Sequence, residues 1–137
     1  MQMTNEELTQ LMIDSAQNAI ETTQQEFAVT LDGTEQSLDH VDDVILSWLD
    51  KYKDQALEDS VVFTICNIYG AYAGEIFRHK VGGNWNYDES QSDAPYVVLE
   101  YAGNTYAFAG ICYQRLVNDS QISVKNYYEQ AVANNLQ

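Results

Sequence analysis

Glu75 and His79 stand four residues apart, a spacing that brings two side chains together on one face of a helix. With His40 they could offer three metal ligands. Zinc sites, however, take three or four ligands at recognisable spacing, and this chain has two histidines in all. Its two cysteines, Cys66 and Cys112, lie in apolar stretches and form no C-x-x-C pair, so buried reduced thiols are expected. Glu75 is expected instead to bond Arg78 or Lys80 at the surface. Nucleophilic catalysis needs an activated Ser or Cys beside a base and an orienting group, and no local pattern supplies one. The phosphate-cradling patterns G-x-x-x-x-G-K-[ST] and G-x-G-x-x-G do not occur in the sequence. The expectation is a non-enzymatic protein with no catalytic residue, cofactor or metal.

Charge is the stronger signal. Twenty-one acids against six bases give a net charge of −15. Residues 1–60 hold fourteen acids and only Lys51 and Lys53, whereas residues 61–137 hold seven acids and four bases. Such a field repels nucleic acid and anionic membranes and attracts basic proteins. Six scattered bases also argue against a nucleic-acid interface. Acidity serves solubility as well as recognition, and composition alone does not separate the two. Nine of the ten tyrosines fall in the second half of the chain. Tyr and Trp combine large buried area with a polar tip and are enriched at binding hot spots. Most are expected to pack in a core; Tyr87, in the segment before Pro95, is the one expected to be an exposed contact. The candidate partner-binding residues are therefore Asp39, Asp42, Asp43, Asp50, Asp54, Glu75 and Tyr87.

The elements that must position these residues follow from periodicity. At 137 residues the chain fits one domain, 1–137, able to bury about two thirds of its unfolded surface without disulfide or metal. Thr4 and Glu7 have capping-box spacing, and Leu8, Leu11, Met12, Ala16, Ala19, Ile20, Thr23 and Phe27 recur on one helical face. A polar loop at 30–37 precedes a second helix, which Ser37 can cap and Asp39 favours at its N-terminus. Its buried stripe is Leu38, Val41, Ile45, Trp48, Leu49, Tyr52 and Ala56, with Asp42 and Asp43 outside it or on its edge. These two elements make an acidic helical pair, 1–58.

A third helix opens at Asp59 or Ser60 and is apolar nearly all round to Phe77, as a central buried helix would be. Cys66, Gly70 and Gly74 are spaced by four, so a neighbour is expected to approach its backbone closely. Thr64, Asn67, Ala71, Glu75 and Arg78 form a thin polar stripe, read as the solvent-facing strip or as a seam that lines a groove or bonds to the sheet. Gly82-Gly83 ends the helix, a loose segment 88–94 follows, and Tyr96–Tyr101 is a strand with a turn at Gly103-Asn104 and a return strand Thr105–Phe108. Ile111–Val117 and Val124–Leu136 read as two last helices. The predicted class is α+β, mostly helical: three N-terminal helices, a small antiparallel hairpin or meander, then two C-terminal helices.

Gly70-Ala71-Tyr72-Ala73-Gly74-Glu75, Gly82-Gly83-Asn84-Trp85 and the paired Tyr127-Tyr128 resemble small bacterial domain families with a G-x-Y-x-G-E helix, a G-G-x-W turn, a short strand pair and a C-terminal helix. The resemblance covers about residues 60–130. Some acidic proteins similar to these families are immunity proteins encoded beside toxins, which implies binding without catalysis and transfers no site residue. The expected function is therefore an acidic immunity protein or antitoxin that occludes a basic bacterial toxin. The alternative is a structural or regulatory module, a homodimer formed through the first helix. The N-terminus lacks a signal-peptide pattern, so a cytoplasmic location is expected.

Overall fold

The computed structural model describes residues 4–51, 58–88 and 96–135. Helix α1 runs Asn5–Phe27, and a 3-10 turn at Glu35–Ser37 leads into α2, Leu38–Lys51. Helix α3 is Asp59–Lys80. Strands β1 (Asn84–Asp88), β2 (Tyr96–Tyr101) and β3 (Asn104–Tyr106) follow, then α4 (Phe108–Tyr113), a π turn (Gln114–Asn118) and α5 (Val124–Ala133). The predicted class and order of elements hold.

Local chemistry sets the boundaries. The Thr4 side chain accepts from the Glu7 N–H and the Glu7 side chain accepts from the Thr4 N–H, closing the capping box. Leu8, Met12, Ala16 and Ala19 of α1 are buried, but Leu11 is 42% exposed and lies outside the stripe expected for it. Ser37 does not cap α2. It sits in the 3-10 turn, where its hydroxyl donates to Thr34 O and bonds the Tyr72 hydroxyl. Tyr52, Ala56 and the segment 89–95, with Pro95, lie outside the described residues.

Helix α3 is the axle, packed between α1 on one side and α4 on the other. It is long and apolar enough to cross a membrane by composition, and 67% of its most apolar window is buried inside the fold, which accounts for that composition. The close approach expected at its glycines is present. A Cβ on Gly70 would lie 2.5 Å from Ala109 Cα of α4, and one on Gly74 would lie 2.1 Å from the Trp85 ring. Two hydroxyls on α3 tether its surroundings. Tyr69 OH bonds Thr23 Oγ1 of α1 at 2.7 Å and accepts Trp48 Nε1 of α2 at 3.0 Å. Tyr72 OH accepts the Gly33 N–H at 2.9 Å.

The sheet is antiparallel, in the order β1-β2-β3. Trp85, Leu99 and Tyr106 align across it and face the core. Strand β1 occupies a stretch for which no strand was expected. The hairpin turn is Ala102-Gly103, one residue earlier than predicted, and Asn104 pairs with Tyr101. Both turn residues have positive φ, 53° and 83°, as a two-residue primed turn requires. The return strand then stops at Tyr106, because Phe108 already begins α4 rather than Ile111.

Candidate functional site

Five of the six basic residues are described, and each is held in an ion pair within the chain. Lys51 meets Glu26, Arg78 meets Glu75 at 2.7 Å, and Lys80 meets Glu35 at 3.4 Å. Arg115 meets Asp42 at 3.4 Å, and Lys125 meets Asp39 at 2.9 Å. Lys53 lies outside the described residues. Among the surplus acids, Glu6, Asp14, Asp43, Asp50, Glu58, Asp59 and Asp119 are exposed and form no ion pair among the described residues.

The residues expected to bind a partner separate into two kinds. Asp43 and Asp50 stand on the exposed side of α2. Asp39 is exposed and bonds Lys125 of α5. Asp54 lies outside the described residues. Tyr87 lies in β1 opposite Val97, and its side chain is outside the described residues.

Asp42 and Glu75 are corrections to that list, because both carboxylates are consumed inside the fold. Asp42 Oδ1 accepts the Val124 N–H at 2.7 Å, and Oδ2 accepts the Ser123 hydroxyl at 2.7 Å. A residue of α2 thereby satisfies two of the orphan donors at the start of α5, Val124 N–H and Lys125 N–H, while the Ser123 hydroxyl caps a third, accepting the Asn126 N–H at 3.1 Å. Arg115 completes the lock: its Nε donates to Asp42 O at 3.0 Å, and its Nη1 donates to Ser120 O and Ile122 O, both at 2.6 Å. Glu75 is 8% exposed. Its Oε2 accepts from Trp85 Nε1 at 2.8 Å and Arg78 Nε at 2.7 Å, and its Oε1 accepts from Arg78 Nη2 at 2.8 Å. Burial pushes the Glu75 carboxyl up, but the Arg78 and Trp85 bonds and the nearby cations outweigh it and hold it below the usual carboxylate range. His79 Nε2 is 3.8 Å from Glu75 Oε1. Among the described residues no three His, Cys, Asp or Glu side chains gather as metal ligands.

The polar stripe of α3 faces solvent only at its start, where Thr64 lines the groove between α1 and α3. Thr64 is exposed and bonds Ser60 O, whereas Ala71 and Glu75 are buried and the stripe ends on the sheet at Trp85. Cys66 and Cys112 are buried and unbridged. Burial pushes the Cys66 thiol up to about 12, and burial together with the charge of Cys66 pushes Cys112 up as well.

Open grooves mark the described surface, and three of them bear on a site. One of about 390 Å³ runs between α1 and α3 beside Trp48, lined by Thr22, Val61, Ile65 and Ile68. A second, about 520 Å³, lies beside the hairpin and holds one carboxylate, Glu100, which accepts from Asn86 Nδ2 at 2.8 Å. The third, about 220 Å³, lies between β3 and α5. None of the three gathers a nucleophile, a base and an orienting group.

Sequence reasoning missed the most exposed apolar side chains, Phe63 (66%), Val117 (48%) and Tyr113 (43%). Phe63 sits in an apolar run that reads as core throughout, and no local signal marks it as exposed.

No family model matches the chain, and no curated protein matches it. A crystal structure from Bacteroides thetaiotaomicron VPI-5482 is similar, with a TM-score of 0.62 over 93% of this chain and 19% sequence identity. The match covers 45% of that protein, so this chain spans less than half of its length. Likeness at this identity is a likeness of fold.

Proposed function

We propose that the protein is a non-enzymatic acidic binder of a basic protein, acting in the cytoplasm as an immunity protein that occludes a bacterial toxin. The observation that carries this reading is the pairing pattern. Every described base is used in an ion pair within the chain, so the acid excess of α1, α2 and the start of α3 is presented outward with no counter-charge among the described residues. Long-range attraction of this kind speeds encounter and sets orientation, while apolar anchors supply most of the affinity. The resemblance of residues 60–130 to small bacterial families supports the toxin as the kind of partner.

The test is affinity capture from lysate and secreted fractions of the source cell at low and high salt. The expected result is one basic protein retained in stoichiometric amount and weakened by salt. Recovery of the chain alone, with light scattering showing a dimer, would instead favour the self-associating module. In the fold, the apolar stripe of α1 is already packed on α3 of the same chain.

A further inference from the structure

Phe63, Cys66, Gly70 and Gly74 lie on one stripe of α3, at spacings of three and four. Gly70 touches the backbone of Ala109, and the Phe77 ring packs on Tyr106 at 5.1 Å and on Phe108 at 5.8 Å. As α3 is followed back from Phe77 to Gly70, the chain packed on it advances from Tyr106 through Phe108 to Ala109, so α3 and α4 run antiparallel. The second turn back from Gly70 on α3 carries Phe63, and the next turn forward from α4 is the π turn Gln114–Asn118. Along it two consecutive side chains, Arg115 and Leu116, are buried at 8% and 4% exposure. Val117 is left outward, four residues beyond Tyr113. Phe63, Tyr113 and Val117 therefore stand at one end of the α3–α4 pair, the three most exposed large apolar side chains described.

Acids rim this end. Asp59 lies one turn before Phe63 on the same stripe, Glu58 precedes it, and Asp119 follows the π turn. All three are exposed and form no ion pair among the described residues. Arg115, the one base on this segment, is turned inward to Asp42 and to two carbonyls. A second copy of the chain is a poor occupant, because a two-fold contact would set Asp59 and Asp119 against themselves between molecules of charge −15.

Resting on the reading of an acidic binder, we propose that Phe63, Tyr113 and Val117 are the anchor surface for a cationic amphipathic segment of the partner, with an apolar side chain seated on Phe63 and flanking lysines or arginines on Asp59 and Asp119. The partner's apolar face gains buried area here, whereas its charge is met by the whole acidic surface.

Two probes separate these contributions: a fluorescein-labelled helical peptide of lysine and leucine with one apolar face, and a polylysine of equal charge. The peptide is expected to bind more tightly than polylysine, and Phe63→Ser to weaken it about tenfold, as loss of a hot-spot aromatic does. Val117→Ser is expected to weaken it less. Leu11→Ser, on the exposed side of α1, and polylysine binding to every variant should be unchanged. All three substitutions are at exposed positions, and circular dichroism verifies their fold. If Phe63→Ser and Val117→Ser leave peptide affinity unaltered while polylysine still binds, the anchor surface is wrong and the acidic reading stands. If neither probe binds, both fail. If the chain dimerises at micromolar concentration and Phe63→Ser abolishes the dimer, the surface belongs to a second copy and the proposal is overturned.

Discussion

Asp42 and Asp43 are adjacent on α2, carry the same charge and face different worlds. Asp42 looks across to α5, where two backbone donors, a hydroxyl and Arg115 converge on it. Asp43 looks to solvent and meets no base among the described residues. The same contrast separates Glu75, buried against Trp85, from Asp50 on the outer side of α2. Ionised carboxylates are retained inside a fold only where donors replace their water, and each such acid is removed from the store available to a partner. Net charge therefore overstates the recognition surface, and position relative to the next element decides which acids count.

The largest test of this contrast is Asp42→Ala. It removes the acceptor of the Val124 and Lys125 N–H groups at the start of α5 and leaves the buried Arg115 guanidinium without its carboxylate, so a loss of about 3–4 kcal/mol in urea unfolding is expected. Asp43→Ala is expected to change stability by no more than about 0.5 kcal/mol. Equal effects at the two positions would remove the distinction.

Glu75→Gln comes next. The amide cannot serve Arg78 and Trp85 together as a carboxylate does, and a loss of about 2 kcal/mol follows. The pH dependence has a definite sign. The folded carboxyl lies below the usual value of 4.5, so its contribution is complete above that pH and is lost as pH falls through the folded value. The parent protein should lose stability in acid more steeply than the Gln variant, and parallel acid-unfolding curves would show that Glu75 is not held as an anion.

How far these roles are legible in the sequence depends on how local the cause is. The capping box at Thr4 and Glu7 and the glycine spacing on α3 are local, and they place α1 and the tight crossings correctly. Strand β1 was hidden because Asn and Asp are poor strand formers, although Trp85 and Tyr87, two apart, carry the alternation. The π turn defeats a helical wheel, since its wider turn takes the side chains from Gln114 onward off the 3.6-residue period. Asp42 is bonded across 81 and 82 residues of chain, so nothing near it in sequence marks it as a cap.

Asp39→Asn tests the intermediate case. Its pair with Lys125 spans α2 and α5, but the Asp39 side chain is 65% exposed. Water competes for both ions, and the two long side chains lose freedom on pairing. The urea midpoint should barely move, even though Asp39 lies one turn from Asp42 on the same helix. A loss approaching that of Asp42→Ala would mean that the ion pair, and not the cap, holds α5.

The smallest expected effect on stability is that of the double reversal Asp43→Lys with Asp50→Lys, within about 0.5 kcal/mol of the parent. Its effect belongs to association. If the solvated acids of α2 steer a basic partner, on-rates measured by stopped flow against the captured protein should fall several-fold at low ionic strength and converge with the parent at high salt, where the Debye length shrinks to about 3 Å. Off-rates should change little, because rim charges act mainly on encounter. Adding Asp42 to the reversal would confound the experiment, since loss of the α5 cap would lower the folded population as well as the charge. An on-rate unchanged by the double reversal would assign the acidity of α2 to solubility and leave recognition to the apolar end of the α3–α4 pair.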